Sequence, residues 1–586
     1  MESIKEDKMA DKIYRVNMND LSFRIEDVPD EWMGLGGRGM TSTIVAAEVD
    51  PECHPLGPNN KMVFAPGLLS GTIAANSGRN SLGAKSPLTG VIKESNVGGT
   101  SAAIFAKLGI KALIIEGIPE DDSTFYHMHV TRENITIVPC PELVGKDNFF
   151  VLDVMKEKYN KKVAVMTIGR PGEMKMLISN ISVKDPKGKL RSHGRGGLGA
   201  VMGSKKIKVI TVDAEKYKET ELADPAKFKA ANKVFTKALK ENPISGEGLP
   251  AFGTNVLVNI INEAGGLPSI NFRSGNSENA EAICGETMAE NIEARDGDTT
   301  HGCHAGCVIQ CSQTYNDKEG NYLASGFEYE MIWAFGANYG IKDLDLIAKI
   351  DNLMDDLGVD AIETGVTFGI AAEGGLIEFG DGEEVYRILA EEVANGTPIG
   401  RIIGSGTGNV GKLYGLVRVP VVKNQAIPAY EPRAIKGQGI TYVTTPMGAD
   451  HTAGYAVATN ILNSGGYIDP LKKEGQVELS RNLQIASAAI DSTGMCIFVA
   501  FPALDDPACL PALIDMINAR FGINLTGDDV TNLGKNILKT EHEFNLKAGL
   551  SSADDRIPEF MKYEPLPPHN VVWDFTNEEI DAFWDF

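Results

Sequence analysis

The run His301-Gly-Cys303-His304-Ala-Gly-Cys307-Val-Ile-Gln-Cys311 puts three cysteines into nine residues of a 586-residue chain that has only eight. Soft sulfur ligands at that density point to iron–sulfur or zinc ligation. An odd cluster cannot pair off internally as disulfides. Three thiolates are also one short of a four-cysteine site, so a distant fourth is required. The Cys-x3-Cys-x3-Cys spacing is looser than the runs of bacterial ferredoxins. One plain alternative stays open. At i, i+4 and i+8 the three thiols would lie along one side of a core helix.

A chain of this length should divide into roughly two to four domains. With 43% hydrophobic and 23% charged residues it can bury ample core. The net charge of −23 argues against general nucleic-acid binding and offers nothing to an anionic membrane surface. No apolar run is long enough to span a bilayer. The start, Met1-Glu-Ser-Ile-Lys-Glu-Asp-Lys, has neither an apolar leader nor a twin arginine, so the expectation is a cytoplasmic protein whose thiols stay free for metal.

Glycine, at 63 residues, is in excess and often sits near arginine. The turns are Gly34 to Gly39, Ala65 to Gly71, Asn76-Ser-Gly-Arg79, Lys85-Ser-Pro-Leu-Thr-Gly90 and Asn96-Val-Gly98-Gly99. Short alternating runs at 12–17 and 21–25, a helix from Thr100 to Leu108 and a buried strand from Lys111 complete a β-rich first third. The series resumes at Gly194-Arg195-Gly196-Gly197-Leu-Gly199. This is a formal GxGxxG, but Lys184 to Lys189 ahead of it reads as a turn rather than an apolar strand, so a dinucleotide fold is not indicated. Backbone N–H groups in such turns can still cradle phosphate, with Arg195 as a fork. Each turn alone is equally an ordinary loop.

From Asp213 the texture becomes helical, with Asp224-Pro225 as an N-cap and first-turn proline. Apolar residues at 344, 347, 350, 354 and 357 mark a helix that stops at Gly358, giving Asp355-Asp-Leu-Gly358-Val359-Asp360. A second helix ends Asp491-Ser-Thr-Gly494-Met495-Cys496. Both sites have the form Asp-x-x-Gly-apolar-(Asp or Cys). A carboxylate in a helix's last turn opposes the macrodipole, so the pair suggests a shared task such as accepting bonds from a heterocycle. Two ordinary glycine C-caps are the competing explanation. Cys496 supplies the missing fourth thiolate. Cys53, Cys140, Cys284 and Cys509 lack partners at ligand spacing. His451 lies in a small-residue turn with room for a ligand.

Taken together, these residues resemble the tungsten-containing aldehyde:ferredoxin oxidoreductase family from about residue 12 to beyond 500. The resemblance implies an α+β fold: a flexible tail at 1–12, a β-rich pterin-binding domain at 13–213, and two mostly helical domains, 214–420 and 421–586. These would enclose a buried metallopterin and an Fe–S cluster. It implies a bis-pyranopterin cofactor of tungsten or molybdenum, one [4Fe–4S] cluster on Cys303, Cys307, Cys311 and Cys496, and Mg2+ on the backbone carbonyls of Asn96 and Gly196. Arg79, Asn96, Gly98, Arg195 and Gly196 would hold pterin phosphates. Asp355, Gly358, Val359, Asp360, Asp491, Gly494 and Met495 would grip the pterin rings. Glu330 and His451 match positions near the metal and are the candidate base and polariser, with Glu328 as rival to Glu330. The implied reaction is oxidation of a small aldehyde to a carboxylic acid by an oligomeric enzyme. Its electrons would pass to a ferredoxin or a dedicated iron–sulfur subunit. Better-known members carry Cys-x2-Cys where this chain has Cys303-x3-Cys307. Lys349 stands where a dimer-bridging iron would want glutamate. Class II benzoyl-CoA reductases share the scaffold, so ring reduction is the competing enzymatic reading; an iron–sulfur electron-transfer or zinc-scaffold subunit is the non-enzymatic one.

Overall fold

The computed structural model describes residues 11–213 and 220–586. Most of the expected tail and the segment 214–219, at the expected first domain boundary, lie outside the described residues.

The first part of the chain forms two six-stranded sheets. One contains β1 (Lys12–Asn17), β2 (Ser22–Asp27), β3 (Met62–Pro66), β4 (Asn80–Lys85), β5 (Ile92–Val97) and β6 (Ile110–Glu116), in the order β2-β1-β6-β3-β4-β5. The other contains β7 (Tyr126–Val130), β8 (Ile135–Pro139), β9 (Ala164–Thr167), β10 (Ile181–Lys184), β11 (Leu190–His193) and β12 (Ile207–Val212), in the order β11-β10-β9-β12-β7-β8. Numbered within each half, the two orders are the same. In both halves the first and last strands pair in parallel and every other pairing is antiparallel. Helices also fall at matching places. Gly37–Glu48 and Asn148–Lys158 come after the second strand of each half, and Ser101–Leu108 and Leu198–Ser204 precede the last. The strand at Ile110–Glu116 is central and buried on both faces, which is why it reads as an unbroken apolar run. Val16, Phe64 and Leu113 of one sheet share a core with Val165, Ile181 and Val209 of the other.

The strand missing ahead of the Gly194 turn is present after all: β11 precedes it and the helix Leu198–Ser204 comes next. Yet β11 is an edge strand that pairs antiparallel with β10, so no parallel βαβ unit results. Polar Lys-Gly-Lys before Leu190 hid a strand of only four residues.

The remainder is mostly helical. Asp224 caps the helix Pro225–Glu241 by accepting from the Lys227 N–H. The largest core takes Trp333 and Ile347 from one expected helical domain and Tyr442 and Phe560 from the other. A small antiparallel sheet, β13 (Asp298–His301), β14 (Ser312–Asn316) and β15 (Tyr322–Ser325), frames the cysteine run. Among the described residues no helix is long and apolar enough to cross a membrane.

Candidate functional site: a cavity between two matching clasps

Each half of the β-rich domain receives one glycine turn from the helical part. The helix Gln476–Thr493 ends at Gly494, whose φ is 83°. There Thr493 O accepts from the Leu69 N–H at 2.8 Å and Gly494 O from the Arg79 N–H at 3.0 Å, both in the loop that joins β3 to β4. The helix Leu344–Leu357 ends at Gly358, φ 69°. Gly358 O accepts from the Asn180 N–H at 2.8 Å, and the Asp360 N–H donates to Ile178 O at 2.8 Å, in the loop that joins β9 to β10. These two loops occupy the same place in the two halves. A β-carbon on Gly494 would stand 2.6 Å from Ser70 Oγ and 3.0 Å from Gly67 Cα, so both the left-handed turn and the close approach require glycine.

The turns Asn96–Gly99 and Gly194–Gly197 match in the same way, each leading from the fifth strand of its half into a helix. Strands β5 and β11 meet, with His193 Nδ1 2.7 Å from Ser95 O.

Residues 302–311 form turns rather than a helix, which removes the core-helix alternative. The Gly99 N–H donates to Cys303 O at 2.8 Å. Asn76, held at φ 60°, ties the cysteines together. Its N–H donates to Gly306 O at 3.0 Å and its O accepts from the Cys496 N–H at 3.0 Å. Its Oδ1 accepts from the Val308 N–H at 2.9 Å, and Nδ2 lies 3.7 Å from Cys307 Sγ. Arg79 Nη2 lies 3.4 Å from Cys496 Sγ. A hydrogen bond from Cys307, helped by His304 and Arg79, holds the Cys303 thiol well below the ordinary range against the effect of burial, whereas burial pushes Cys311 and Cys496 up. All eight cysteines are free thiols. Among the described residues no three His, Cys, Asp or Glu side chains converge closely enough to hold a single ion.

Between the clasps lies a cavity of about 820 Å³. Its polar end presents Arg79, Lys93, Glu94, Asn96, Arg191, Arg195, Glu328, Glu330, Asp450, His451 and Asp491. The rest runs past Leu483, Ile490 and Leu513 between three helices and reaches the exposed Thr531. Several polar atoms at the polar end have no hydrogen-bond partner among the described residues: Arg79 Nε, Asn96 Nδ2, Arg191 Nε, Glu94 Oε1, Glu330 Oε1 and His451 Nδ1. Such orphans are costly unless a ligand satisfies them. Donors and acceptors both occur, which suits a heteroatom-rich ligand.

Lys93 Nζ pairs with Asp450 Oδ2 at 2.8 Å. Burial works to raise the Asp450 carboxyl, but Lys93 and then Arg195 hold it well below the ordinary range. Arg195 donates to Ala449 O at 2.6 Å, to Ala426 O at 2.7 Å and to Asp360 Oδ2 at 3.4 Å, so its fork is engaged by the protein. Glu330 Oε1 and His451 Nε2 stand 3.3 Å apart, without the alignment of a hydrogen bond, and their side chains expose only 14% and 16% of their surface. Burial pushes Glu330 up to about 8 and His451 down to about 4. Burial, then Asp491, pushes Glu94 up to about 8; burial pushes Asp491 up to about 6 against Arg38.

Of the candidate residues, Arg79, Asn96, Gly98, Arg195, Asp491, Cys303, Cys311, Glu330 and His451 line this cavity. Gly196, Asp355, Gly358, Val359, Asp360, Gly494, Met495, Cys307 and Cys496 are not in its wall. Asp360 Oδ1 caps the helix Ala361–Glu373 by accepting from the Ile362 and Glu363 N–H groups. Gly196 O accepts from Ser86 Oγ at 2.7 Å. Glu330 sits in the first turn of a short helix of its own, Tyr329–Phe335, which comes before the helix Leu344–Leu357. Glu328 immediately precedes the first of these helices without a side-chain capping bond; its Oε2 accepts from Thr254 Oγ1 at 2.6 Å. Lys93, Glu94, Arg191 and Asp450 escaped the sequence reading. For Lys93 and Glu94 the sequence shows only a polar run, Ile92-Lys-Glu-Ser-Asn-Val; its almost complete burial, which ordinary sheet packing does not call for, appears only in the fold.

Two family models match the chain, the aldehyde ferredoxin oxidoreductase N-terminal domain over 13–214 and that family's domains 2 and 3 over 230–584. The tungsten-containing aldehyde ferredoxin oxidoreductase of Pyrococcus horikoshii is 35% identical, across 95% of this chain and 92% of that protein. The aliphatic sulfonate oxidoreductase WOR-like subunit of Pyrococcus furiosus is 25% identical, across 93% and 87%. A solved active-site complex BamBC of benzoyl coenzyme A reductase matches with a TM-score of 0.76 at 17% identity, covering 98% of this chain and 93% of that one, which is a likeness of fold. The chain belongs to the aldehyde ferredoxin oxidoreductase family, a family of tungsten-containing oxidoreductases.

Proposed function

We propose that this protein oxidises a small aldehyde to a carboxylic acid, with water as the oxygen source, and releases the electrons through an iron–sulfur cluster to a ferredoxin-like acceptor. The observation that carries the reading is the two-fold arrangement: two matching loops, each clasped by an Asp-x-x-Gly turn, with four cysteines beside only one of them. A cofactor with two similar halves and a neighbouring cluster suits that asymmetry. The orphaned donors Arg79 Nε and Asn96 Nδ2 and the acceptor Glu94 Oε1 fit a pterin with its phosphate.

When bound, a tungsten bis-pterin supplies the two-electron redox chemistry. The chain's own residues then have separable tasks. Arg79, Asn96 and Gly98 hold one pterin phosphate; Arg195 and Gly196 position the other side. Asp491 faces the cavity, while Gly494 and Met495, and Asp355 with Gly358, Val359 and Asp360, set from behind its wall the two turns that would hold the rings. Mg2+ on the carbonyls of Asn96 and Gly196 belongs to the same proposal. Cys303, Cys307, Cys311 and Cys496 hold a [4Fe–4S] cluster. At neutral pH Glu330 carries its proton and His451 is uncharged. Glu330 Oε2 accepts from the Ala429 N–H at 3.0 Å, which leaves the unpartnered Oε1 to exchange a proton as water or a hydrated aldehyde reacts. The neutral His451 beside it can donate a hydrogen bond to developing negative charge. The apolar passage past Leu483, Ile490 and Leu513 admits an uncharged substrate and excludes bulk water.

The test is elemental and pterin analysis of the purified protein, followed by turnover of simple aldehydes with a viologen dye. Tungsten with two pterins per chain and dye reduction is the expected result. Zinc without pterin, or ring reduction of an aromatic thioester without aldehyde turnover, would overturn it.

A further inference from the structure

The helix Pro225–Glu241 carries Lys229, Lys233, Lys237 and Lys240 along one groove with a single acidic residue, Glu241, in a chain of net charge −23. Lys229, Lys233 and Lys240 form no ion pair among the described residues, and Lys237 has only a solvent-exposed one with Glu241 at 3.7 Å. The groove ends at Ile73, an apolar side chain left 64% exposed. This patch is joined to the cysteine site by a short path. Asn232, on the same helix, accepts from the Ala75 N–H at 3.1 Å and donates to Ile73 O at 2.9 Å. The next residue, Asn76, holds the cysteine loop, with Nδ2 3.7 Å from Cys307 Sγ. Cys307 is the one of the four thiols that is not fully buried, and its neighbours Ala305, Gly306 and Gln310 are exposed.

We propose that this lysine ridge with Ile73 is the docking surface for a small acidic iron–sulfur protein, and that electrons leave by the Cys307 side of the cluster. The proposal rests on the reading that the four cysteines hold a cluster. Aldehyde plus water yields carboxylic acid, two protons and two electrons. The electrons pass singly through the cluster to the partner's own oxidised clusters, which are reduced by one electron each. A strongly negative chain repels an acidic partner at long range. A local basic strip reverses the field where the partner must land and raises the encounter rate. Exposed Ile73 gives the encounter an apolar centre.

The test compares two acceptors on the holoenzyme: an acidic two-cluster ferredoxin and a small viologen dye. In the wild type, ferredoxin reduction should slow as salt rises while dye reduction stays level. The triple variant K229E/K233E/K237E should raise the KM for ferredoxin at least about tenfold at low salt, with dye turnover and iron content unchanged. The K229R/K233R/K237R variant should behave as wild type. Carbodiimide cross-linking of the unmodified pair, mapped by mass spectrometry, should join residues of 225–241 to ferredoxin carboxylates. Normal ferredoxin kinetics in the charge-reversed enzyme, or cross-links confined to another surface, would overturn the proposal. So would protection of these lysines by a duplex oligonucleotide and not by ferredoxin. Failure of dye reduction in the wild type would instead sink the functional reading beneath it.

Discussion

Glu330 and His451 face each other at 3.3 Å in a wall that burial has stripped of their ordinary charges. Glu330 titrates at about 8, so its carboxylate fraction grows as pH rises through that value. A step that needs the carboxylate should therefore speed up over the same range, and kcat/KM for an aldehyde with a viologen acceptor should show this limb. Glu330→Gln should abolish the limb. Both Glu330→Gln and His451→Ala should retain tungsten and iron yet lose at least about a hundredfold in turnover; near-normal rates at full metal content would place the chemistry on other side chains. Cys496→Ser should lower the iron bound per chain and alter the EPR of the reduced cluster, because its N–H and thiol are held in place by Asn76 and Arg79. The residue types of Glu330, His451 and Cys496, and the turns that carry the last two, were legible in the sequence. Their protonation was not, since it depends on which surfaces close over them.

The two helix-ending glycines look alike in sequence and in local geometry, at φ 83° and 69°, but their downstream neighbours differ. Gly494 is two residues from Cys496, whereas Gly358 is two residues from Asp360, a helix cap. Forcing an L side chain into the left-handed region costs about 1–2 kcal/mol before any clash. Gly494→Ala should thus lower both pterin and iron content, and Gly358→Ala should lower pterin while sparing iron. Equal iron loss in both variants would show that the clasps are not separable. Helix ends and caps were readable because they arise from one residue's backbone freedom. The repeat between the two six-stranded sheets was not. It resides in strand order, and many different strands, buried along all or nearly all of their length, satisfy the same order.

A single buried network ties the chain's extremes together. Arg38 donates to both oxygens of Glu541, at 2.9 and 2.7 Å, across 503 residues of sequence, and Asp491 lies 3.4 Å from the same guanidinium. Removing one partner of a buried pair leaves an uncompensated charge and typically costs about 3–5 kcal/mol. Glu541→Ala should accordingly lower the temperature of thermal inactivation, read as residual dye-linked activity after heating, and an unchanged profile would show the pair to be dispensable. By itself the sequence determined the cysteine-rich loop, the two Asp-x-x-Gly turns, one of them leading to Cys496, and a β-rich start with helices after it, because each depends on residue type and on spacing along the chain. Only the tertiary structure decided that the clasps grip matching loops of a duplicated sheet, that Lys93, Glu94, Arg191 and Asp450 join the cavity, and that Arg195 is spent on carbonyls. Those outcomes depend on which distant surfaces meet, and burial and electrostatics are set by neighbours in space that local spacing does not encode.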